Sequence, residues 1–291
     1  MKSHTLSDLR NGYHRKILRE ILGHRADSEA FSNADSGSKV SKELAARLAM
    51  KLSAQTGVKP CRDLPSSQSI GTKFTNFTKE FLDEAFTRLQ HLRPGEWVFS
   101  TSQGGLGIAK YYQYEHLATL NEVLESHPEL KSALGGDYLV TPDIIIAREP
   151  VSDDEINRGG VLINSLMELA KYAPLRKSVN PTSILHASIS CKWTLRSDRS
   201  QNTRTEALNL IRGRKGNVPI IAAVTFEPMP TRLASIAMGT GDLDCTYHAA
   251  LPELLKAVEE IQNESQEDML KTLVDGRRLR DISDLPFDLA T

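Results

Sequence analysis

Residues 218–228, VPIIAAVTFEP, offer water almost no polar face. An apolar run of this length reads as a strand buried on both sides, and such a strand needs a layer above it and another below. Two further stretches read as strands. One is DYLVTPDIIIARE, Asp137 to Glu149, where Pro142 weakens the middle or marks an edge or bulge. The other is SILHASISCKWT. RTEALNLIRGRK reads as a helix after a polar turn, and LPELLKAVEEIQ as a late helix. Strand, strand, helix, strand, helix implies an α/β fold, a mixed central sheet flanked by helices.

The first 130 residues read mainly as helices. KVSKELAARLAMKLSAQTG spaces Val40, Leu44, Leu48 and Leu52 helically and ends on glycine. FTNFTKEFLDEAFTRLQHLRPG places Phe74, Phe77, Phe81, Ala85 and Leu89 on one stripe before a Pro-Gly stop. The stretches NADSGS and CRDLPSSQSIGT read as loops, and IAKYYQYEHLATLNEVLESHPEL continues the helical part. No repeat, low-complexity tract or linker divides the chain. The expectation is one domain over 1–291, with a helical N-terminal part to about 130 and an α/β core from about 131. The acidic VSDDEINRGG reads as a surface excursion.

At 291 residues and 40% hydrophobic content the chain can bury a sizeable core. Its net charge of −1 gives no global sign of a polyanionic partner. Locally the balance differs. From His186 to Gly216, Lys192, Arg196, Arg199, Arg204, Arg212, Arg214 and Lys215 face only Asp198 and Glu206. That is the footprint of an anion site on an otherwise acidic body, or simply a solvated face. Three widely spaced cysteines, Cys61, Cys191 and Cys245, form no disulfide framework or metal pair, which suits a reducing compartment. The N-terminus lacks a signal-peptide core and no run is long enough to span a membrane, so the expected location is cytoplasmic.

Strand alternation puts His186, Ser188, Ser190 and Lys192 on one face, and Ala187, Ile189, Cys191 and Trp193 on the other. Ser190 and Lys192 therefore share a strand end. Asp143 is the candidate carboxylate from a neighbouring strand. An aspartate holding Mg²⁺ and a lysine stabilising developing negative charge is a chemistry for phosphodiester hydrolysis. The Cys191 carbonyl and the Glu206 carboxylate are further oxygen donors. A PD followed later by SxK also arises by chance, with Lys192 reaching solvent and Asp143 in a turn. RSDR, Arg196 to Arg199, follows within a few residues. Arginine can bond guanine O6 and N7 and aspartate can accept from cytosine N4, so two arginines flanking an acid can read G·C pairs. Alone, RSDR also reads as a surface salt-bridge turn.

Other motifs are set aside. QGGLGIAK is not a P-loop, and GTGDLDC lacks EF-hand spacing. His186 and His248 lack histidine partners at metal-ligand spacing and read as structural. Trp193 reads as core.

ILHASISCKWTLRSDRSQN, EALNLIRGRKG, IAMGTGDLDCTYH, the segment from GEWVF to QYEHL, SNAD at 32–35 and DISDLPFDLA at 281–290 together resemble the NgoMIV family of type II restriction endonucleases, the group that cuts around a central CCGG. The resemblance covers most of the chain. It implies a PD-(D/E)XK nuclease core in which serine replaces the acid before the lysine and a later helix returns a glutamate. Asp143, Ser190, Lys192 and Glu206 match those positions. It also implies that Arg196, Asp198 and Arg199 read the CCGG pairs in the major groove. Arg232 and, in the minor groove, Gln68 would contact the outer G·C pair. A matching serine is Ser36 or Ser38.

The implied activity is Mg²⁺-dependent cleavage of double-stranded DNA at a palindrome, GCCGGC by resemblance, 5′ to CCGG, leaving four-base 5′ overhangs. The implied assembly is at least a dimer, and a homotetramer engaging two DNA copies. One position departs. Where the family has a glutamate that supports the metal centre, this chain has Thr75, and Glu80 lies about 140° further around a helix. A binding protein that has lost catalysis, or a repair nuclease on the same core, are the alternatives.

Overall fold

The computed structural model describes residues 5–26, 28–101, 107–134, 138–164, 169–239 and 241–291. Helix α1, Leu6–Glu20, starts at a capping box: the Thr5 hydroxyl accepts from Asp8 N and the Asp8 carboxylate accepts from Thr5 N. Ser38 caps α2, Lys39–Thr56, which ends where Gly57 takes a left-handed conformation at φ 71°. Ser66 caps α3, Ser67–Thr87. Strand β1, Trp97–Thr101, follows, then short 3₁₀ turns at Gly107–Lys110 and Tyr112–Tyr114. Next come α4, His116–Ser126, α5, Pro128–Leu134, β2, Ile144–Arg148, and the short α6, Asp153–Ile156. Strand β3, Ile184–Lys192, leads into α7, Ser197–Gly213. The chain closes with β4, Ile220–Thr225, α8, Pro230–Ala237, β5, Cys245–His248, α9, Leu251–Ile261, α10, Glu264–Asp275, β6, Leu279–Asp281, and α11, Leu285–Ala290.

The sheet is mixed, as expected, with its six strands in chain order. Strands β1 and β2 are antiparallel, Trp97 opposite Arg148 and Thr101 opposite Ile144. Strands β4, β5 and β6 are parallel, which requires the crossovers that α8, α9 and α10 provide. Strand β4 is buried along almost its whole length, as its sequence demands.

Two compact units divide the chain. The first comprises Met1–Leu92, Ile189–Thr205 and Ile221–Thr291. In it α1 packs on α2 and α3, α2 on α9, and α8 on α10. Ile17, Leu18, Leu44, Leu48, Leu52, Phe74 and Leu254 are fully buried there. The second comprises Arg93–Ser188 and Glu206–Ile220. Its internal brace is Gln113, whose amide donates to Leu185 O at 2.7 Å and accepts from Leu185 N at 2.9 Å. The Tyr114 hydroxyl donates to Leu210 O at 2.9 Å.

Several expectations on local structure need correction. Strand β2 begins at Ile144, because Pro142 has no N–H to give a ladder and restricts the residue before it. Asp137, where that strand was expected to start, lies outside the described residues, as does part of QGGLGIAK. SSQSIGT is not loop but the start of α3, capped through Ser66 Oγ and Ser69 N at 3.3 Å. RSDR is not a free turn: Ser197–Arg199 open α7. No described helix is long and apolar enough to cross a membrane.

Candidate functional site

Burial along β3 follows the expected alternation except at Ser188, which is buried although it lies on the face of Ser190 and Lys192. Ala187, Ile189 and Cys191 are buried, as is Trp193 just beyond, while Ser190 and Lys192 are half-buried at the strand end. Trp193 anchors this end in the core: its ring stacks on Phe226 with centroids 4.8 Å apart and meets Phe74 edge-on at 5.3 Å. The Lys192 carbonyl accepts from Phe226 N at 3.4 Å. Ser190 Oγ lies 3.5 Å from Thr203 Oγ1, which ties the strand end to α7.

Past Trp193 the chain turns into α7. The Arg196 carbonyl accepts from Ser200 N at 3.0 Å and from the Ser200 hydroxyl at 3.2 Å. Arg196 and Asp198 are both exposed, and Asp198 sits in the first helical turn, where the helix dipole favours an acid. The side chain of Arg199 lies outside the described residues. Ser200 Oγ and Ser235 Oγ, 2.7 Å apart, join α7 to α8, which carries Arg232.

These elements surround a cavity of about 470 Å³. Arg25, Asp35, Arg196 and Arg232 supply its charged lining, and Ser36, Thr194, Thr231 and Ser235 are its neutral polar residues. Arg232 is ion-paired with Asp35. The Gly37 N–H, 2.9 Å away, and the Arg232 guanidinium hold the Asp35 carboxyl below its usual range. Arg25 donates to the carbonyls of Ser32 and Ala34 at 3.0 and 3.1 Å, fixing the SNAD loop. Three arginines around one aspartate make the cavity a site for an anionic ligand with exposed acceptors. Of the two candidate serines, Ser36 lines the cavity, while Ser38 caps α2 through Ser41 N and contacts Met229 Sδ at 3.7 Å. Gln68 is exposed on the first turn of α3 and is not in the cavity wall.

Asp143, immediately before β2, and Glu206, on α7, are half-buried and belong to the second unit. Ser190, Cys191 and Lys192 belong to the first. Among the described residues no three His, Cys, Asp or Glu side chains form a metal-binding cluster. By donor chemistry alone, the Asp143 and Glu206 carboxylates and the Cys191 carbonyl are hard oxygen donors of the kind a divalent ion such as Mg²⁺ takes.

Thr75 is half-buried beside Phe74 on α3. Glu80 is exposed and ion-paired with Lys16 of α1 at 2.5 Å, so it does not stand in at the Thr75 position. His248 is structural, as expected. Its Nδ1 accepts from Ala250 N at 3.0 Å, its Nε2 therefore donates to Glu227 O at 3.1 Å, and burial pushes its pKa down to about 4. The His186 ring meets Trp97 edge-on at 4.8 Å.

Sequence reasoning missed three residues here. Arg25 and Asp35 lie in loops whose path only the fold reveals. Glu227 closes the apolar run VPIIAAVTFEP, and an acid in such a run is itself a signal, since a buried carboxylate must be hydrogen-bonded.

The family model described as NgoMIV restriction enzyme matches residues 13–291. The type II restriction enzyme NgoMIV of Neisseria gonorrhoeae is 45% identical over 280 residues, 96% of each chain. Among solved structures, the type IIF restriction endonuclease Bse634I with cognate DNA shares 13% identity at a TM-score of 0.31, covering 99% of this chain and 92% of that one. The PspGI complex with substrate DNA shares 13% at 0.26, covering 92% and 96%. The assignment rests on the first two matches, which span nearly the whole chain: it belongs to the NgoMIV restriction enzyme family and is a type II site-specific deoxyribonuclease.

Proposed function

We propose that this enzyme cuts double-stranded DNA at GCCGGC, 5′ to the CCGG, in a Mg²⁺-dependent reaction that leaves four-base 5′ overhangs. Type II restriction endonucleases as a class use divalent ions. The observation that carries the reading is the run from Lys192 to Arg196, which passes in four residues from the end of β3 into a cavity shared with Arg232 and Asp35.

Asp143, Glu206 and the Cys191 carbonyl would hold the metal. Bound there, a divalent ion supplies Lewis-acid activation of the phosphate and of a water. Lys192 places its ammonium against the non-bridging phosphate oxygens and stabilises the charge that develops in the transition state. Ser190 takes the place of the usual acid on the same face. Family membership supports these roles, and the half-buried Ser190 and Lys192 at the strand end are consistent with them.

Base reading falls to Arg196, Asp198 and Arg199 for the inner pairs. Arg232, with Asp35 beside it, reads the outer G·C pair by the same combination of guanine donor and cytosine acceptor. Gln68 approaches from the minor groove, and Ser36 is the better placed of the two serines. A palindrome calls for a two-fold dimer, and we extend this to a tetramer on two DNA copies. Its support is a set of exposed apolar side chains: Val161, Leu162, Leu169 and Tyr172 are 69–92% exposed. The cytoplasm is the compartment such an enzyme would occupy. Thr75 motivates a second reading, a protein that binds the site without cutting it.

A plasmid carrying GCCGGC separates the readings. Incubation with Mg²⁺ should give defined fragments whose sequenced ends are 5′-CCGG overhangs, and chelation should stop the reaction. Protection of the site without cutting would favour the binder. Ends at other sequences would overturn the assignment of the site.

A further inference from the structure

The carboxylate of Glu227 has no exposure to solvent, yet it is the last but one residue of the β4 run VPIIAAVTFEP. Burying such a group is costly unless its oxygens are hydrogen-bonded. Both are. Oε2 accepts from Leu195 N at 2.9 Å and Oε1 from Met229 N at 3.2 Å. The two donors belong to different segments of the same unit. Leu195 immediately precedes Arg196. Met229 is the N-cap residue immediately before α8, three before Arg232, and its side chain makes no capping hydrogen bond.

The backbone of Glu227 is itself fixed. Its N–H donates to Thr225 Oγ1 at 3.2 Å and its carbonyl accepts from His248 Nε2 at 3.1 Å. The preceding carbonyl, Phe226 O, accepts from the buried Asn33 amide at 3.4 Å, which adds the SNAD segment bearing Asp35. One strand end thus locates three segments that line the cavity.

We propose that Glu227 is a positioning residue that determines specificity: by accepting one N–H from each arginine-bearing segment, it fixes the separation of Arg196 and Arg232 and so the register in which inner and outer base pairs are read together. This rests on the base-reading roles proposed above. It assigns Glu227 no contact with DNA.

Glu227→Gln is the direct test. The side chain keeps its size, but its NH₂ must face one of the two N–H groups, donor against donor, and one segment is released. The full-length protein is titrated at about pH 8, where the Glu227 carboxyl is ionised, without metal, against GCCGGC duplex and duplexes with one symmetry-related base pair replaced. Asp198→Ala and Arg232→Ala are run beside it. The expected result is a loss of at least tenfold in discrimination by Glu227→Gln at inner and outer positions together, whereas Asp198→Ala loses it only at inner positions and Arg232→Ala only at outer ones. If those two behave so and Glu227→Gln discriminates within twofold of the unmodified protein, the role of Glu227 is overturned and base reading stands. If neither loses discrimination, base reading falls and the role of Glu227 with it. Should circular dichroism show Glu227→Gln unfolded, hydrogen exchange on the unmodified protein decides. The Leu195 and Met229 amides are expected to be strongly protected, and exchange of either at the rate of an unstructured amide would refute the bridge.

Discussion

Single buried side chains set how this protein responds to pH. His14 and His248 are fully buried, and desolvation pushes both down to about 4. Each is neutral in the fold and takes up a proton on unfolding below 6.5, so its contribution is complete above that pH and is lost as pH falls toward 4. Glu227 runs the other way. Burial pushes its carboxyl up to about 7, against the pull of its two N–H donors and of Arg232, with Asp35 adding to the rise. The fold therefore favours its protonated form, and that contribution is lost as pH rises from the unfolded value of 4.5 to 7. Each displacement corresponds to about 3 kcal/mol. Two histidines outweigh one glutamate, so urea denaturation should show stability climbing between pH 4.5 and 6.5 and turning over near neutrality. Stability that declines steadily across that interval would show the histidines charged in the fold. At this scale the sequence showed which residues share a strand end, Ser190 and Lys192, and that RSDR follows them closely. It was silent on Arg25 and Asp35, whose neighbours are supplied by distant segments.

At the scale of elements, one ionic cluster joins three of them. Arg10 of α1 donates to both carboxylate oxygens of Glu253 on α9, at 2.8 and 2.7 Å, and to both of Asp281 in β6, at 2.9 and 2.8 Å. All three are nearly buried, and Asp281 also accepts from Leu251 N at the start of α9. Removing the arginine leaves two acids buried side by side. Arg10→Leu should cost about 3–5 kcal/mol, read as a lowered denaturation midpoint with an unchanged slope. A loss under about 1 kcal/mol would mean that solvent reaches the acids. Of the longer elements, α2, α9, β3 and β4 were legible through clear periods or continuous apolar runs, whereas α1 and α10 were not. The short ones were not. Strands β5 and β6 have four and three residues, too few for an alternation to register, and they exist because β4 provides a parallel edge. Helix α3 starts earlier than its apolar stripe because a serine cap needs no hydrophobic residue behind it.

At the scale of the whole molecule, the family and the mixed sheet were legible, because identity is spread along the chain and the strand-rich half declares its layers. Assembly is a separate question. Light scattering on the purified enzyme should give a mass four times that of the 32.3 kDa chain, and Tyr172→Glu with Leu162→Glu should reduce it. A monomer at every concentration would rule out the palindrome-matched assembly.

We propose that Lys192 cuts while Arg196 and Arg199, four and seven residues further along the same continuous stretch, read bases, so that the two tasks are separable. The measurement that meets it most directly is a parallel assay of Lys192→Ala for binding to a GCCGGC duplex and for cleavage of a GCCGGC plasmid with Mg²⁺. Site-specific binding should persist within a few-fold of the unmodified enzyme while cleavage disappears. Retained turnover, or loss of binding together with cleavage in a folded variant, would contradict it.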